Sequence, residues 1–189
     1  MSATPSEDGE RSLDDLAGRA AAGDEHALHV LLAQIEPRVM RMCSRMLPCR
    51  EDAEEACQDA LLLVATRVDT FKGTSKFTTW LYTVAGNSAR QTYRSLKRRA
   101  AAEHPVAELP TAADPRTTSV IAGSRLDLLE ALEVLEAAHP ELVGPLVLRD
   151  IAQLDYADIA NALDLPLGTV KSRIHKARAQ VRPLLLVHP

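Results

Sequence analysis

The sequence has few aromatic residues, six in 189, or 3% of the chain. Its core must therefore be built from Ala, Leu, Val and Ile, and a low content of Phe, Tyr and Trp favours helices over sheets. Hydrophobic residues still make up 46% of the chain, which is ordinary for a folded protein and argues against wholesale disorder. We find no alternation typical of strands, and we predict an all-α protein.

Long apolar runs and paired cysteines are also missing. No stretch approaches the roughly eighteen apolar residues of a membrane helix, and residues 1–11 carry three acids and no apolar run. We expect no signal peptide, no membrane insertion and a cytoplasmic protein.

The three cysteines form neither an even set nor a C-x-x-C pair; they are Cys43, Cys49 and Cys57. We interpret them as small apolar side chains in a reducing cytosol rather than as a zinc site or a disulfide.

Motifs of catalysis are absent as well. The six histidines have no metal-ligand spacing, and the sequence contains no G-x-S-x-G, Walker A or G-x-G-x-x-G motif. We therefore expect no enzyme, no cofactor and no metal site.

Acidic residues are missing from two long segments, although the net charge is −4. Residues 76–99 and 167–189 hold 11 of the 22 basic residues and none of the 26 acidic ones. Solvated helices usually mix both signs, so two segments of one sign indicate polyanion binding. Two merely solvated basic faces remain the alternative on charge alone.

A proline-containing linker divides the chain. Pro105, Pro110 and Pro115 fall in a stretch without an apolar period, and more than twenty structureless residues inside one compact domain would be unusual. We predict a disordered N-terminus (1–11), a helical domain (12–99), a flexible linker (100–123) and a second helical domain (124–186).

The predicted helices are Ser12–Ala22, Glu25–Met46, Glu51–Arg67, Phe77–Arg99, Ser124–Ala137, Pro140–Ile151, Asp155–Leu163 and Leu167–Leu186. Ser12, Asp24 and Asp155 are the predicted caps of their helices, and Pro37 is a predicted kink.

The C-terminal helices have the pattern of a helix-turn-helix. A short helix ends in a compact turn at Pro166, and the longer helix that follows has an apolar stripe at Val170, Ile174, Ala177 and Val181. Its other face is polar and basic, with Thr169, Lys171, Ser172, Arg173, Lys176 and Arg178. Such a helix is suited to the major groove, where its N-terminal residues reach base edges.

The segment LDYADIANALDLPLGTVKSRIHKARAQVR resembles the region 4 helix-turn-helix of bacterial sigma factors, in which a G-T-V-K-S-R run is characteristic. This resemblance implies that the basic face just described recognises the promoter −35 element.

The helix FTTWLYTVAGNSARQTYRSLKRR places Phe77, Trp80 and Leu81 on a face that we expect to pack inward. Polar and cationic residues recur along another face and form a ridge long enough to follow a phosphate backbone. This ridge consists of Asn87, Arg90, Arg94, Lys97 and Arg98.

The stretch FTTWLYTVAGNSARQTYRSLKRR resembles sigma region 2, which implies that the ridge binds the −10 element. The resemblance also implies that the loop Phe71, Lys72, Gly73, Thr74, Ser75 and Lys76 captures a base flipped from the non-template strand. Gly86 and Gln91 depart from the family pattern, which has a base and an acid at these positions.

The helix EDAEEACQDALLLVATR has an acidic first turn, which complements the helix dipole. The run D-A-E-E-x-x-Q-D resembles the sigma surface that docks on the β′ clamp helices of RNA polymerase. This implies a docking role for Asp52, Glu55, Gln58 and Asp59.

The chain as a whole resembles a sigma-70 family factor of the extracytoplasmic-function (ECF) group. The resemblance implies that it binds core RNA polymerase at the β′ clamp helices and the β flap. It also implies recognition of promoter DNA, capture of melted non-template bases, and an anti-sigma factor as a further partner to look for. A stand-alone helix-turn-helix regulator is the main alternative, and an adaptor whose basic helices bind an acidic protein is another.

Overall fold

The structure of the chain is a computed structural model, which describes residues 5–103 and 120–185. These ranges contain helices and turns but no strand, so the prediction of an all-α fold is confirmed. The helices are α1 (Pro5–Ala21), α2 (Glu25–Met46), α3 (Arg50–Arg67), α4 (Phe77–Glu103), α5 (Val120–Ala138), α6 (Pro140–Leu146), α7 (Tyr156–Leu163) and α8 (Leu167–Leu185). A 3-10 turn, Val68–Thr70, follows α3, and a π-helical turn, Val147–Ile151, follows α6.

Helices α1–α4 form a bundle around a core of aliphatic side chains. The fully buried residues include Leu31, Ile35 and Met42 of α2 and Phe77 and Leu81 of α4. Small residues on α3, such as Ala53, Ala56 and Ala60, are also fully buried, which lets α3 approach its neighbours closely. Helices α5–α8 form a second group, in which α8 packs against α5, α6 and α7.

Several helix boundaries differ from the predictions. Residues 5–11 were predicted to be disordered, but α1 begins at Pro5, where proline and the following acids suit a first helical turn. Ser12 is therefore inside α1 and does not cap it. Helix α2 runs through Pro37 without a break. Helix α4 extends to Glu103 because Ala100–Ala102 are strong helix formers. Residues 104–119, which include the three linker prolines, lie outside the described residues, and α5 begins at Val120.

The predicted caps have different outcomes. The Asp24 side chain accepts a hydrogen bond from the Ala27 amide at 2.9 Å, so this cap is confirmed. Asp155 is at the N-cap position of α7 but makes no side-chain cap bond. Its carboxylate instead lies 3.7 Å from Nη1 of Arg149 and is 87% exposed.

Candidate nucleic-acid interface

Helix α4 carries the first basic surface, and its apolar face fixes the helix in the bundle. Of the predicted inward face, Phe77 and Leu81 are fully buried, and Trp80 is partly buried against the core. Ala85 and Ala89, which were not predicted, are fully buried on the same helix. Along the other face Asn87, Lys97 and Arg98 are exposed and Arg94 is partly exposed. We call these four residues together with Arg90 the α4 ridge.

Arg90 is the one ridge residue that the structure largely buries, with 14% of its side chain exposed. Its Nη2 donates to Oδ1 of Asn87 at 2.5 Å, whereas Nε and Nη1 have no hydrogen-bond partner. Burial lowers the pKa of this guanidinium, and Glu136 at 3.4 Å partly opposes that effect. Arg90 would thus have to be uncovered before it could contact a phosphate.

The loop that precedes α4 presents Lys72, Gly73 and Thr74 to solvent. Gly73 has φ +67°, a left-handed conformation that glycine adopts without strain. Phe71 turns inward, and its ring centroid lies 5.3 Å from that of Phe77 in an edge-to-face arrangement. Of the six predicted base-capturing residues, Lys72, Gly73, Thr74 and Lys76 are thus exposed and Ser75 is partly exposed, whereas Phe71 packs against Phe77.

Asp14 of α1 fixes the start of α4. Its Oδ1 accepts a hydrogen bond from the backbone amide of Phe77 at 2.6 Å, which satisfies one of the free donors at the helix N-terminus. Asp14, Lys72 and Gly73 also line the same open cleft, of about 340 Å³. Because this contact holds the loop against α1, it contributes to the shape of the candidate base-binding region.

Asp14→Ala should lower the free energy of unfolding by about 1 kcal/mol, the usual cost of losing a cap. Asp14→Asn keeps an acceptor oxygen and should lose less. Urea denaturation of both variants checks this, and Asp15→Ala, at the exposed position next to it, is the control. Equal stability of Asp14→Ala and the parent chain would show that the cap contributes nothing.

The second basic surface is on α8. Val170, Ile174, Ala177 and Val181 are buried, which confirms the predicted apolar stripe. Asp164 ends α7 with φ +51°, and the amide of Leu165 donates to the carbonyl of Ala160 at 3.0 Å, so the turn between α7 and α8 is tight. This is helix-turn-helix geometry.

The exposed face of α8 contains most of the predicted −35 residues. Lys171, Ser172 and Lys176 are exposed, and Thr169 and Arg173 are partly exposed. His175 is exposed beside Lys176 and was not predicted as a site residue. His175 lies within the basic segment, so the sequence could have predicted it as a DNA-binding residue. It was considered only as a metal ligand.

Arg178 has a different environment from the other α8 cations. It makes a bidentate contact with Asp150 of the π-helical turn, with Nε and Nη2 at 3.0 and 2.5 Å from the two carboxylate oxygens. This pairing raises the pKa of Arg178. Arg178 thus ties α8 to the π-helical turn, and a phosphate would have to compete with Asp150 for it.

Helix α3 carries the predicted docking residues. Glu55, Gln58 and Asp59 are exposed, whereas Asp52 is partly buried and burial raises its pKa. Glu55 also lies 3.3 Å from Nη2 of Arg99. Gln58 and Asp59 are thus the most accessible of the four.

Leu62 of α3 is a surface residue that the sequence prediction missed. Its side chain is 63% exposed, one helical turn beyond Gln58 and Asp59. An exposed leucine beside polar residues is a common feature of a protein-binding surface. Its spacing of four from Gln58 is visible in the sequence, but the sequence pattern alone does not show that this side chain is exposed.

Acidic side chains of the second helical group contact the α4 ridge. Nζ of Lys97 lies 2.7 Å from Oε2 of Glu133, and Nη1 of Arg94 lies 3.0 Å from Oε2 of Glu136. At the other end of α4, Nζ of Lys76 lies 3.1 Å from Oδ2 of Asp158 on α7. None of these acids belonged to the predicted site.

The residues that the structure describes contain no group of three or more His, Cys, Asp or Glu side chains placed to hold a metal ion. None of their helices is both long enough and apolar enough to span a membrane.

A helix-turn-helix with a basic face and a second helix with a basic ridge define a class of all-helical nucleic-acid-binding proteins. Comparison with known families makes this specific. The family described as Sigma-70 region 2 matches residues 31–99, and Sigma-70, region 4 matches residues 145–181.

Curated relatives align over nearly the whole chain. The ECF RNA polymerase sigma-E factor of Escherichia coli K12 is 30% identical over 181 residues, which cover 90% of this chain and 94% of the relative. The sigma-E factor of Haemophilus influenzae is 28% identical over 174 residues, covering 88% and 91%. The chain belongs to the sigma-70 family, in its ECF group.

A solved structure agrees with this at the level of the fold. CnrH, solved in complex with the cytosolic domain of CnrY, superposes with a TM-score of 0.55 at 21% identity. The superposition covers 94% of this chain and 99% of CnrH.

Proposed function

We propose that this chain is a sigma factor that binds core RNA polymerase and directs it to promoters. The observation that carries the proposal is the presence of two acid-free basic segments, residues 77–99 of α4 and residues 167–185 of α8, on separate helical groups of an ECF family chain. Residues 12–99 would act as region 2 and residues 124–186 as region 4, and both family matches fall within these ranges.

The division of roles follows from the chemistry of each surface. The exposed face of α8 is suited to base edges and phosphates of duplex DNA, so we assign it to the −35 element. The α4 ridge and the loop before it combine cations, an amide and polar side chains, which suit the backbone and unpaired bases of a melted −10 element. Gln58, Asp59 and Leu62 would dock on the β′ clamp helices, and the β flap would contact the second helical group.

This function requires no catalytic group in the chain itself. Bond formation would belong to the polymerase, and binding energy for flipped bases would help to keep the promoter open. An anti-sigma protein is a further partner that fits this function.

The test is transcription by core polymerase from two templates, one duplex and one melted over the −10 element. We expect promoter-specific transcripts only when the chain is added, with the melted template partly bypassing the need for opening. Without polymerase, the α4 ridge and the exposed face of α8 are not held at the spacing of the −10 and −35 elements. The isolated chain should therefore bind duplex promoter weakly.

A stand-alone regulator would behave in the opposite way. It would bind duplex DNA with nanomolar affinity at physiological salt without polymerase, and it would not change the start-site choice of core enzyme. That result would contradict the proposal.

A further inference from the structure

A groove with apolar walls lies within the second helical group, between α5, the π-helical turn and the last two turns of α8. Its volume is about 630 Å³. The walls include Leu128 and Leu132 of α5, Ile151 of the π-helical turn, and Val181 and Leu185 of α8. Sites for small molecules are typically about 300–1,000 Å³ in volume and are lined mainly by apolar side chains. The groove therefore has the size and the lining of a ligand site.

The spacing of these residues along the two helices builds the groove. Leu128 and Leu132 are four residues apart on α5, and Val181 and Leu185 are four apart on α8, so each pair lies on one face of its helix. Leu132 is fully buried and Val181 is 5% exposed, whereas Leu185 is 39% exposed. The groove thus has a buried inner part at Leu132 and Val181 and an exposed outer part at Leu185.

The charged residues of the groove leave one positive charge over. They are Asp150, Arg178 and Arg182. Arg178 holds Asp150 in a bidentate ion pair, so these two charges compensate each other. Arg182 is exposed, and no carboxylate of the described residues forms an ion pair with it. Apolar walls are therefore combined with a single uncompensated guanidinium at the outer part of the groove.

A long-chain carboxylate complements both features. Its acyl chain would bury methylene groups against the leucines, and its head group would accept hydrogen bonds from the guanidinium of Arg182. A phosphate or a nucleotide would leave the apolar walls unused, and a neutral lipid would leave Arg182 unused. One turn of a helix with its side chains occupies roughly 500 Å³, so the groove would hold little more than a single helical turn. A flexible acyl chain fits the groove better.

We propose that this groove binds a long-chain fatty-acid anion, with the acyl chain between α5 and α8 and the carboxylate at Arg182. The site is separate from the predicted promoter-binding residues except for Arg178, which lines the groove while paired with Asp150. Binding of the ligand therefore depends on neither polymerase nor DNA, and it is measured on the free chain.

The first test titrates the full chain with monomeric dodecanoate in an isothermal calorimeter. We expect saturable binding at one site per chain. Arg182→Gln should weaken it about fivefold or more, because the variant lacks the cation that pairs with the carboxylate, whereas Arg182→Lys should keep most of the affinity. Arg67→Gln removes an exposed arginine of α3 outside the groove and should have no effect. Dodecanol, which has no charge, should bind the parent chain and Arg182→Gln equally.

The second test places a negative charge at the outer part of the groove. Leu185→Asp should weaken dodecanoate binding about tenfold or more, because a carboxylate there repels the head group and is solvated poorly beside an acyl chain. The matched control is Leu184→Asp, since Leu184 is also 39% exposed but does not line the groove. This control should change affinity less than twofold, and circular dichroism should show the same helix content for both variants.

Three results would overturn the proposal. One is the absence of saturable dodecanoate binding by the folded parent chain. Another is equal affinity of Leu185→Asp and Leu184→Asp together with equal affinity of Arg182→Gln and Arg67→Gln, which would place the ligand elsewhere. The third is binding of an amphipathic helical peptide, lost in Leu185→Asp, by a chain that does not bind dodecanoate. In that case the groove is a protein-docking surface.

Discussion

Asp59→Arg should reduce binding of the chain to core RNA polymerase by at least 100-fold while leaving it folded. Asp59 is exposed on α3, beside Gln58 and the exposed Leu62, and makes no contact that holds the bundle together. Opposing like charges at an interface costs several kcal/mol, which is enough for a loss of this size. The measurement is a pull-down or titration of core enzyme, with circular dichroism to confirm helix content.

The control for this experiment is Asp69→Arg, an equal charge reversal at an exposed residue of the 3-10 turn. It should leave polymerase binding unchanged. If Asp59→Arg binds core enzyme as tightly as Asp69→Arg, then α3 does not form the docking surface. Leu62→Ser should then be tested separately, since Leu62 was identified only from its exposure.

Arg173→Ala should impair transcription from −35-dependent promoters by roughly 5- to 150-fold, the equivalent of about 1–3 kcal/mol for a base contact. It should relax preference at the −35 element alone. Asn87→Ala should slow opening of duplex templates and alter −10 preference, while sparing −35 selection. Because the two residues act on separate helical groups once the promoter is bound, their effects should be nearly additive.

Each variant has a matched control on its own helix. Arg182→Ala removes an exposed cation from the far end of α8, and Gln91→Ala removes an exposed amide one turn beyond Asn87. A transcription assay crosses the variants with −10 and −35 base changes. A shift of −10 preference by Arg173→Ala would show that the surfaces are assigned to the wrong elements.

The sequence predicted the helices and the apolar faces well because both depend on local patterns. The stripe Val170, Ile174, Ala177 and Val181 and the inward face of Phe77 and Leu81 are all buried as expected. Helix ends were less predictable. Pro5 suits a first helical turn and Ala100–Ala102 are strong helix formers, so α1 and α4 extend beyond the predicted boundaries, which local patterns place only to within a few residues.

The candidate site was predictable in its residue types but not in its contacts. The acid-free segments located α4 and α8 correctly, yet no periodicity in α4 shows that Glu136 lies against Arg94 or that Arg90 is buried. These contacts join residues about forty positions apart in the sequence, and they depend on how two helical groups pack. The same applies to Gly86, which stood out only as a departure from the family pattern and whose close approach to Cγ1 of Val147 is visible only in three dimensions.

The glutamates on the α4 ridge also bear on where the chain spends its time in a cell. A bacterial chromosome offers millions of non-specific sites, and cationic proteins bind them through phosphate contacts alone. With Arg94 and Lys97 already paired to Glu136 and Glu133, the free chain forms fewer such contacts. The intramolecular ion pairs would therefore keep the chain from being titrated by bulk DNA, so that more of it remains free to find polymerase.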